Sequence, residues 1–414
     1  MSKGLIKTPI PKGGLGWSVI DQQEIDAVVS ILKNPGYLFR YSNERETECN
    51  GFEREVCEKT GFKHSLMVAS GTSALTICLS AYGVGPGDEV ILPGYTYIAT
   101  ASAVVTVGAV PVIAEIDDSL GLDPADVEKK ITPYTKAIIT VHMQGVPGKL
   151  AKLREIAKKN NLYLIEDACQ AIGSTYKGEY TGMGSSAAAW SLNYFKIITC
   201  GESGVFFTND SNAYIRGVNA HDPGSPMWKE GLAQDTVIPP FTVLGIRGNE
   251  VNAAIARVQL RKLDGILEKT RSLKKCLLSN LDTPVNYTLQ HVDDPEGDCG
   301  ISICFIAKSR EIAKKMSDIL SEEGLNIGTA FNEGFPDRHI YTYWDAILEK
   351  RSPSPAGYPW KDPSYKGNVS YAKDMCPNTL DILGRSMRLA INPAMKDINM
   401  EEIAAAINFA DKNV

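Results

Sequence analysis

Between about Phe52 and Asn209 the chain alternates short branched apolar runs with stretches of helical periodicity. The runs are Ser65–Ala69, Glu89–Leu92, Val110–Glu115, Ala137–His142, Leu162–Glu166, Ala187–Ser191 and Gly204–Thr208. Runs that are apolar along their length, instead of at every second position, read as strands buried on both faces. Strands of this kind joined by helices imply an α/β architecture: a mostly parallel seven-stranded sheet sandwiched by helices. The amphipathic stretch Asn252–Leu263 reads as a long helix leading out of that layer structure. We therefore expect residues 1–264 to form a large domain with an N-terminal arm, and 265–414 a smaller α+β domain; 414 residues are enough for two cores. In the second part, Ile301–Ala307 reads as a strand, and Glu311–Glu323 and Met400–Asp411 as helices. The proline-rich stretch Arg351–Trp360 lacks core character and reads as a linker or a substrate-facing flap.

Chemistry enters at Ser191-Leu-Asn-Tyr-Phe-Lys196, which runs into the small-residue turn Thr199-Cys-Gly-Glu-Ser-Gly204. A lysine five residues after a serine, entering a glycine-rich turn, suits pyridoxal phosphate: the amine forms a Schiff base with the cofactor aldehyde and the hydroxyl reaches its phosphate. Alone, a lysine is usually a solvated surface residue, so the argument needs further parts of one site. Asp167 supplies one, at the end of the apolar run Leu162–Glu166, where open α/β sheets place their active sites. A carboxylate there pairs with the pyridine nitrogen, and Gln170 is placed to bond the ring hydroxyl. The alternative is that Glu166 and Asp167 cap a following helix.

Gly71, Thr72 and Ser73 supply another part, between the run Leu66–Ala69 and the helical pattern that begins at Leu75. Glycine allows close backbone approach, and the free N–H groups of a helix start attract phosphate. The same Ser-Gly-Thr-Ser also suits an ordinary helix cap. Tyr97, with Tyr95 as the second choice, lies in the loop after Glu89–Leu92, from which an aromatic ring could stack on the pyridine face.

These segments, in this order, resemble the DegT/DnrJ/EryC1/StrS sugar aminotransferase family of fold type I pyridoxal phosphate enzymes. The likeness runs from about Gly51 to Asp264 through Ser-Gly-Thr-Ser-Ala-Leu, Gly-Asp-Glu-Val-Ile-Leu-Pro, Gly-Ala-Val-Pro-Val, Ile-Glu-Asp-Ala-Cys-Gln-Ala-Ile-Gly and Ser-x4-Lys. It implies an aminotransferase with Lys196 and Asp167 as catalytic residues, an amino acid donor, glutamate in our reading, and a sugar or sugar-like carbonyl acceptor. It also implies a homodimer whose composite sites are completed by the neighbouring subunit. Within the family, Leu38-Phe-Arg40-Tyr41, Val141-His-Met143 and Asp294–Asp298 look most like the enzymes that aminate the oxidised C8 of an octulosonic acid. The segment Val243–Glu250 departs from the family pattern: the asparagine that crosses the dimer to the phosphate aligns with Gly245, so Asn249 becomes the substitute donor, while Arg247 keeps its place.

Donor glutamate and an acidic acceptor carry carboxylates, which arginine binds in a bidentate fashion, and Arg40 and Arg247 are the substrate-binding candidates. Two other readings stand beside aminotransfer. One is a sugar dehydratase with the same cofactor, against which Lys196 counts; the other is a cofactor-binding regulatory protein, for which no basic helix-turn-helix is present. A formal net charge of −6 without a basic run argues against nucleic acid, and no apolar stretch approaches the ~18 residues needed to span a bilayer. The first residues lack the apolar core of a signal peptide, from which we expect a cytoplasmic protein. Nine cysteines without a paired C-x-x-C read as reduced thiols, with neither a disulfide framework nor a metal site.

Overall fold

All seven apolar runs become strands of a single sheet. A computed structural model describes residues 4–42, 45–223, 238–239, 241, 244–331, 336–352 and 354–414. Val243 of the Val243–Glu250 segment and Pro353 of the proline-rich stretch lie outside the described residues. The strands are β1 (His64–Val68), β2 (Glu89–Pro93), β3 (Val110–Ala114), β4 (Thr135–Val141), β5 (Tyr163–Asp167), β8 (Ala187–Ser191) and β9 (Gly204–Thr208), in the order β1-β9-β8-β5-β4-β2-β3. A separate hairpin, β6 (Thr175–Tyr176) with β7 (Glu179–Tyr180), follows β5. Pairing is parallel from β3 through β8, whereas β9 runs antiparallel to both β8 and β1. Every position of β2, β3, β8 and β9 is buried, which explains why these runs lack a polar face.

Strand alternation sorts the core into two layers. Leu66 and Val68 of β1 pack with Leu75 and Ile77 of α3 (Gly71–Ala81) on one face of the sheet. Met67 packs with Phe52 of α2 (Glu48–Thr60) and Leu263 of the long helix α8 (Glu250–Asn280) on the other. This three-layer arrangement, with a mostly parallel sheet, is the architecture of the fold type I aminotransferases.

The boundary expected after Asp264 falls inside α8. Its N-terminal part, as far as Leu267, supplies Ala253, Leu260 and Leu267 to the large core, and Leu273 and Leu277 reach a separate core built on a three-stranded sheet. That sheet comprises β10 (Tyr287–Leu289), β11 (Ser302–Ala307) and β12 (Ser386–Ala390), packed on α9 (Arg310–Glu322) and α12 (Asp397–Lys412). Later segments return to the large core through Tyr341, Trp344 and Trp360. Trp360 corrects the reading of the proline-rich stretch: its ring is buried and its Nε1–H donates to Tyr371 Oη at 3.0 Å. Among the described residues, no helix is long and apolar enough to cross a membrane.

An N-terminal arm joins the two units. Leu5, Ile6 and Ile10 pack on the small core, and Glu402 accepts from the amides of Lys7 at 2.9 Å and Thr8 at 2.8 Å. Further along, Gly16 N–H donates to the Lys196 carbonyl at 3.0 Å. A Cβ at Gly14 would lie 2.0 Å from the Tyr194 carbonyl oxygen, so only glycine allows so close an approach of the arm to the lysine loop.

Candidate active site

A cavity of about 1240 Å³ is lined by the arm, by the C-terminal ends of β5 and β8, by the start of α3 and by β12. On its large-domain wall it collects Gly71, Thr72, Tyr97, Asp167, Gln170, Ser191 and Lys196. Open α/β sheets leave such a crevice beyond the carboxyl ends of their strands, and the topology here brings those loops together.

Asp167 closes β5 and is 4% exposed. Its carboxylate accepts from Thr100 Oγ1 at 2.9 Å and from the Cys169 amide at 3.1 Å, which fixes its orientation. Glu166, one residue earlier, points to the opposite face. It is fully buried and accepts from Gly182 N at 2.6 Å and from Arg154 Nη2 at 3.1 Å, and it pairs with His142 Nε2 at 3.0 Å. Burial alone would raise the Glu166 carboxyl, but His142 and Arg154 hold it below the usual carboxylate range. The capping alternative is not what the chain adopts, because a turn and not a helix follows Asp167.

Ser70 caps α3, its Oγ accepting from the Ser73 amide at 3.1 Å. The Ser73 N–H is thus occupied and Ser73 does not line the cavity, whereas Gly71 and Thr72 do. A Cβ added at Gly71 would lie 2.7 Å from Ser191 Cβ and 3.0 Å from Cys169 Sγ. The bare glycine therefore lets the first turn of α3 rest against Ser191, bringing backbone amides and a hydroxyl together. Burial, then the neighbouring Asp167, pushes the Cys169 thiol well above the usual range, with Lys196 opposing in part. Cys169 consequently packs as a protonated thiol. Lys196 is half-buried and its amine has no hydrogen-bond or ion-pair partner among the described residues.

The two tyrosines separate cleanly. Tyr95 is 6% exposed with its hydroxyl bonded to Gln144, whereas Tyr97 is 48% exposed on the cavity wall. Gln170 Oε1 accepts from the Gln144 amide at 3.2 Å. Amides at a helix start, a serine hydroxyl, a free lysine amine, a buried carboxylate and an open aromatic face form a donor set that fits a phosphorylated pyridine aldehyde.

The arginines lie elsewhere. Arg40 is buried, with Nη2 2.6 Å from Glu53 and Nη1 donating to the Met67 carbonyl at 3.3 Å, so it ties the segment before α2 to β1 and lies outside the cavity lining. Arg247 continues the sheet beside Val68, and its half-exposed guanidinium contacts Asp222 at 3.3 Å. Asn249 caps α8, accepting from Asn252 N at 2.9 Å, and a Cβ at Gly245 would meet open space. None of these three lines the cavity of its own chain. Sequence reasoning missed Arg388 and His339, which do line it, and the glycines of the arm. The cluster Gly13-Gly14-Leu15-Gly16 was a visible signal for the arm; Arg388, alone within a five-residue strand, offered none.

The chain belongs to the DegT/DnrJ/EryC1/StrS aminotransferase family, which it matches over residues 19–353, and it is a pyridoxal phosphate-dependent aminotransferase. Solved structures agree. A 3-amino-5-hydroxybenzoic acid synthase is 26% identical with a TM-score of 0.79, the alignment covering 98% of this chain and 99% of that one. DesV from S. venezuelae is 26% identical with a TM-score of 0.78, over 98% and 100% of the two chains. Helicobacter pylori PseC, an aminotransferase involved in the biosynthesis of pseudoaminic acid, shares the fold at 20% identity and a TM-score of 0.74, over 95% and 98%.

Proposed function

We propose that the protein transfers an amino group from glutamate to the carbonyl of a sugar or sugar acid, an oxidised octulosonic acid being the acceptor we favour, and that it does so as a cytoplasmic homodimer. The observation that carries the reading is an unpartnered Lys196 amine in the same cavity as Asp167, Gly71, Thr72 and Ser191. When bound, pyridoxal phosphate supplies an aldehyde carbon that carries the amino group and a ring that accepts electrons.

The chain's own residues then divide the work. Gly71 and Thr72 amides with Ser191 Oγ receive the phosphate at the positive end of α3. Asp167, oriented by Thr100, would accept from the ring nitrogen, Gln170 would meet the ring hydroxyl, and Tyr97 would cover one face. Lys196 Nζ would hold the cofactor between turnovers and would otherwise be free to accept a proton at that nitrogen and give the same proton back, one amine serving as base and acid. Arg247 and Asn249, outside their own cavity, serve the neighbouring subunit's cavity across a symmetric interface.

Mixing the holoenzyme with glutamate should shift the cofactor absorbance to that of its aminated form and release one equivalent of 2-oxoglutarate. No shift with glutamate, glutamine or aspartate would sink the reading. Offering the aminated enzyme a panel of keto and aldehyde sugars, with mass detection of products, then assigns the acceptor.

A further inference from the structure

We propose that Gln144 is a positioning residue for the cofactor: its backbone N–H holds Gln170 so that the Gln170 amide presents N–H groups, and not its carbonyl oxygen, to the ring oxygen. The inference rests on the cofactor reading above, in which Gln170 meets that oxygen, and it names what sets the polarity of the contact.

Gln144 stands just beyond the end of β4, in the short turn Met143–Gly145. It is 3% exposed and has a φ of 61° and a ψ of 25°, the left-handed region that a side chain disfavours. Of the five non-glycine residues with positive φ among those described, it alone lines the cavity. A left-handed residue with a side chain persists only where surrounding contacts hold it. Two segments supply those contacts. On one side, Gln144 Nε2 donates to Tyr95 Oη. On the other, Ser302 Oγ at the start of β11 donates to the Gln144 carbonyl at 2.9 Å, and the Cys299 amide donates to the Gly145 carbonyl at 3.0 Å.

What the turn fixes is the direction of an amide. The Gln144 N–H donates to Gln170 Oε1 at 3.2 Å. A backbone N–H can only donate, so the Gln170 atom that meets it is the oxygen, and the nitrogen with its two N–H groups lies on the other side of the amide. No described residue takes those N–H groups, and Gln170 lines the cavity. A ring hydroxyl that meets them is favoured in its ionised form, because an N–H donates more strongly to an oxyanion than to a neutral oxygen. Without the Gln144 N–H the Gln170 amide is free to turn over and present its oxygen, which repels an anion.

The test follows the absorbance of the bound cofactor as pH is varied, in holoenzyme without substrate. Losing a donor leaves the ionised ring oxygen more basic, so the proton it shares is held to higher pH. Gln170→Ala should therefore raise the midpoint of the spectral change by about one pH unit, the scale of a hydrogen bond to a charged group. Gln144→Ala keeps the backbone strain and loses the Tyr95 anchor, and should raise the midpoint in the same direction. Gln144→Gly, which adopts a positive φ at no steric cost, should raise it by less than Gln144→Ala. Tyr95→Phe removes the anchor from its far side and should also raise it; with Gln144→Gly it carries the comparison if Gln144→Ala does not fold. In the double variant of Gln144→Ala with Gln170→Ala the midpoint should equal that of Gln170→Ala alone, because Gln144 acts through Gln170. An unmoved midpoint in Gln170→Ala removes the Gln170 contact with the ring, and this inference with it. A midpoint that moves in Gln170→Ala but not in Gln144→Ala or Tyr95→Phe, a larger shift for glycine than for alanine, or a further shift in the double variant overturns the role of Gln144 and leaves the Gln170 contact standing.

Discussion

The two walls of the cavity are built in different ways. The large-domain wall sets backbone amides, the small residues Gly71, Thr72 and Ser191 and the buried Asp167 carboxylate at strand ends and a helix start, and adds Tyr97, Gln170 and Lys196 from the loops between them. The small-domain wall is made of the short strand β12, whose Arg388 and Ala390 are exposed while Met387 and Leu389 are buried. The first wall matches the cofactor, which does not change between substrates; the second faces whatever is brought to it. Chemistry and selection are thus carried by separate pieces of chain, and variants on the two walls should fail differently.

The largest effect is expected at Lys196. Replacing it with alanine should slow glutamate-driven conversion of the cofactor by about 10⁴-fold, since one group acts as both base and acid. Glutarate affinity should stay within twofold, and a parallel loss of glutarate binding would break the division between the walls. Gly71→Ala comes next. The new Cβ would press on Ser191 and Cys169, and overpacking of this kind costs roughly 1–3 kcal/mol, about ten- to a hundredfold in cofactor Kd. Equilibrium dialysis of the cofactor is the measurement, and wild-type affinity would show that α3 does not hold the phosphate.

Arg247→Leu should raise the KM for glutamate about tenfold with the bound-cofactor spectrum intact, because the contact is made equally before and during reaction. Loss of cofactor with normal donor affinity would instead assign Arg247 to the phosphate. The smallest effect concerns the arm. Burial would raise the Glu402 carboxyl, but the amides of Thr8 and Lys7 lower it below the ordinary carboxylate value. A carboxyl lowered on folding holds the arm at every pH above its ordinary value near 4.3 and releases it as pH falls through the lower one. Glu402→Gln should therefore cost no more than about 1 kcal/mol at pH 7, discounted for its partial exposure. Amide exchange of residues 5–12, corrected for intrinsic rates, should be faster in the variant at pH 7 and equal to wild type well below pH 4.

How much was readable in advance follows the same division. β2, β3, β8 and β9 are buried at every position and are apolar along most of their length; Ser191 stands where the apolar run of β8 stops, and Asp167 where that of β5 does. In the small sheet the central strand Ser302–Ala307 is buried throughout and was legible, whereas the outer strands are partly exposed and short: Tyr287–Leu289 and Ser386–Ala390 mix polar and apolar residues over three and five positions, too few to display a period. Arg40 shows the limit most plainly. Its guanidinium was expected to meet a substrate carboxylate, but Arg40 is 5% exposed and Tyr41 7%, and Glu53 supplies the counter-charge from 13 residues away. Spacing along a chain locates groups on one element; it does not say which of two carboxylates, a protein's or a ligand's, an arginine will meet.

The period-two geometry of β12 has one more consequence. Since Met387 and Leu389 fill the small core while Arg388 faces outward, a one-residue deletion or register slip in this strand would exchange their places. A cation would enter an apolar interior, and a thioether would replace the guanidinium on the cavity face. The charge that this wall presents is therefore a two-valued property of strand phase, coupled to folding itself: backbone adjustments cannot tune it by degrees, and a lineage that removes it must substitute Arg388 in place.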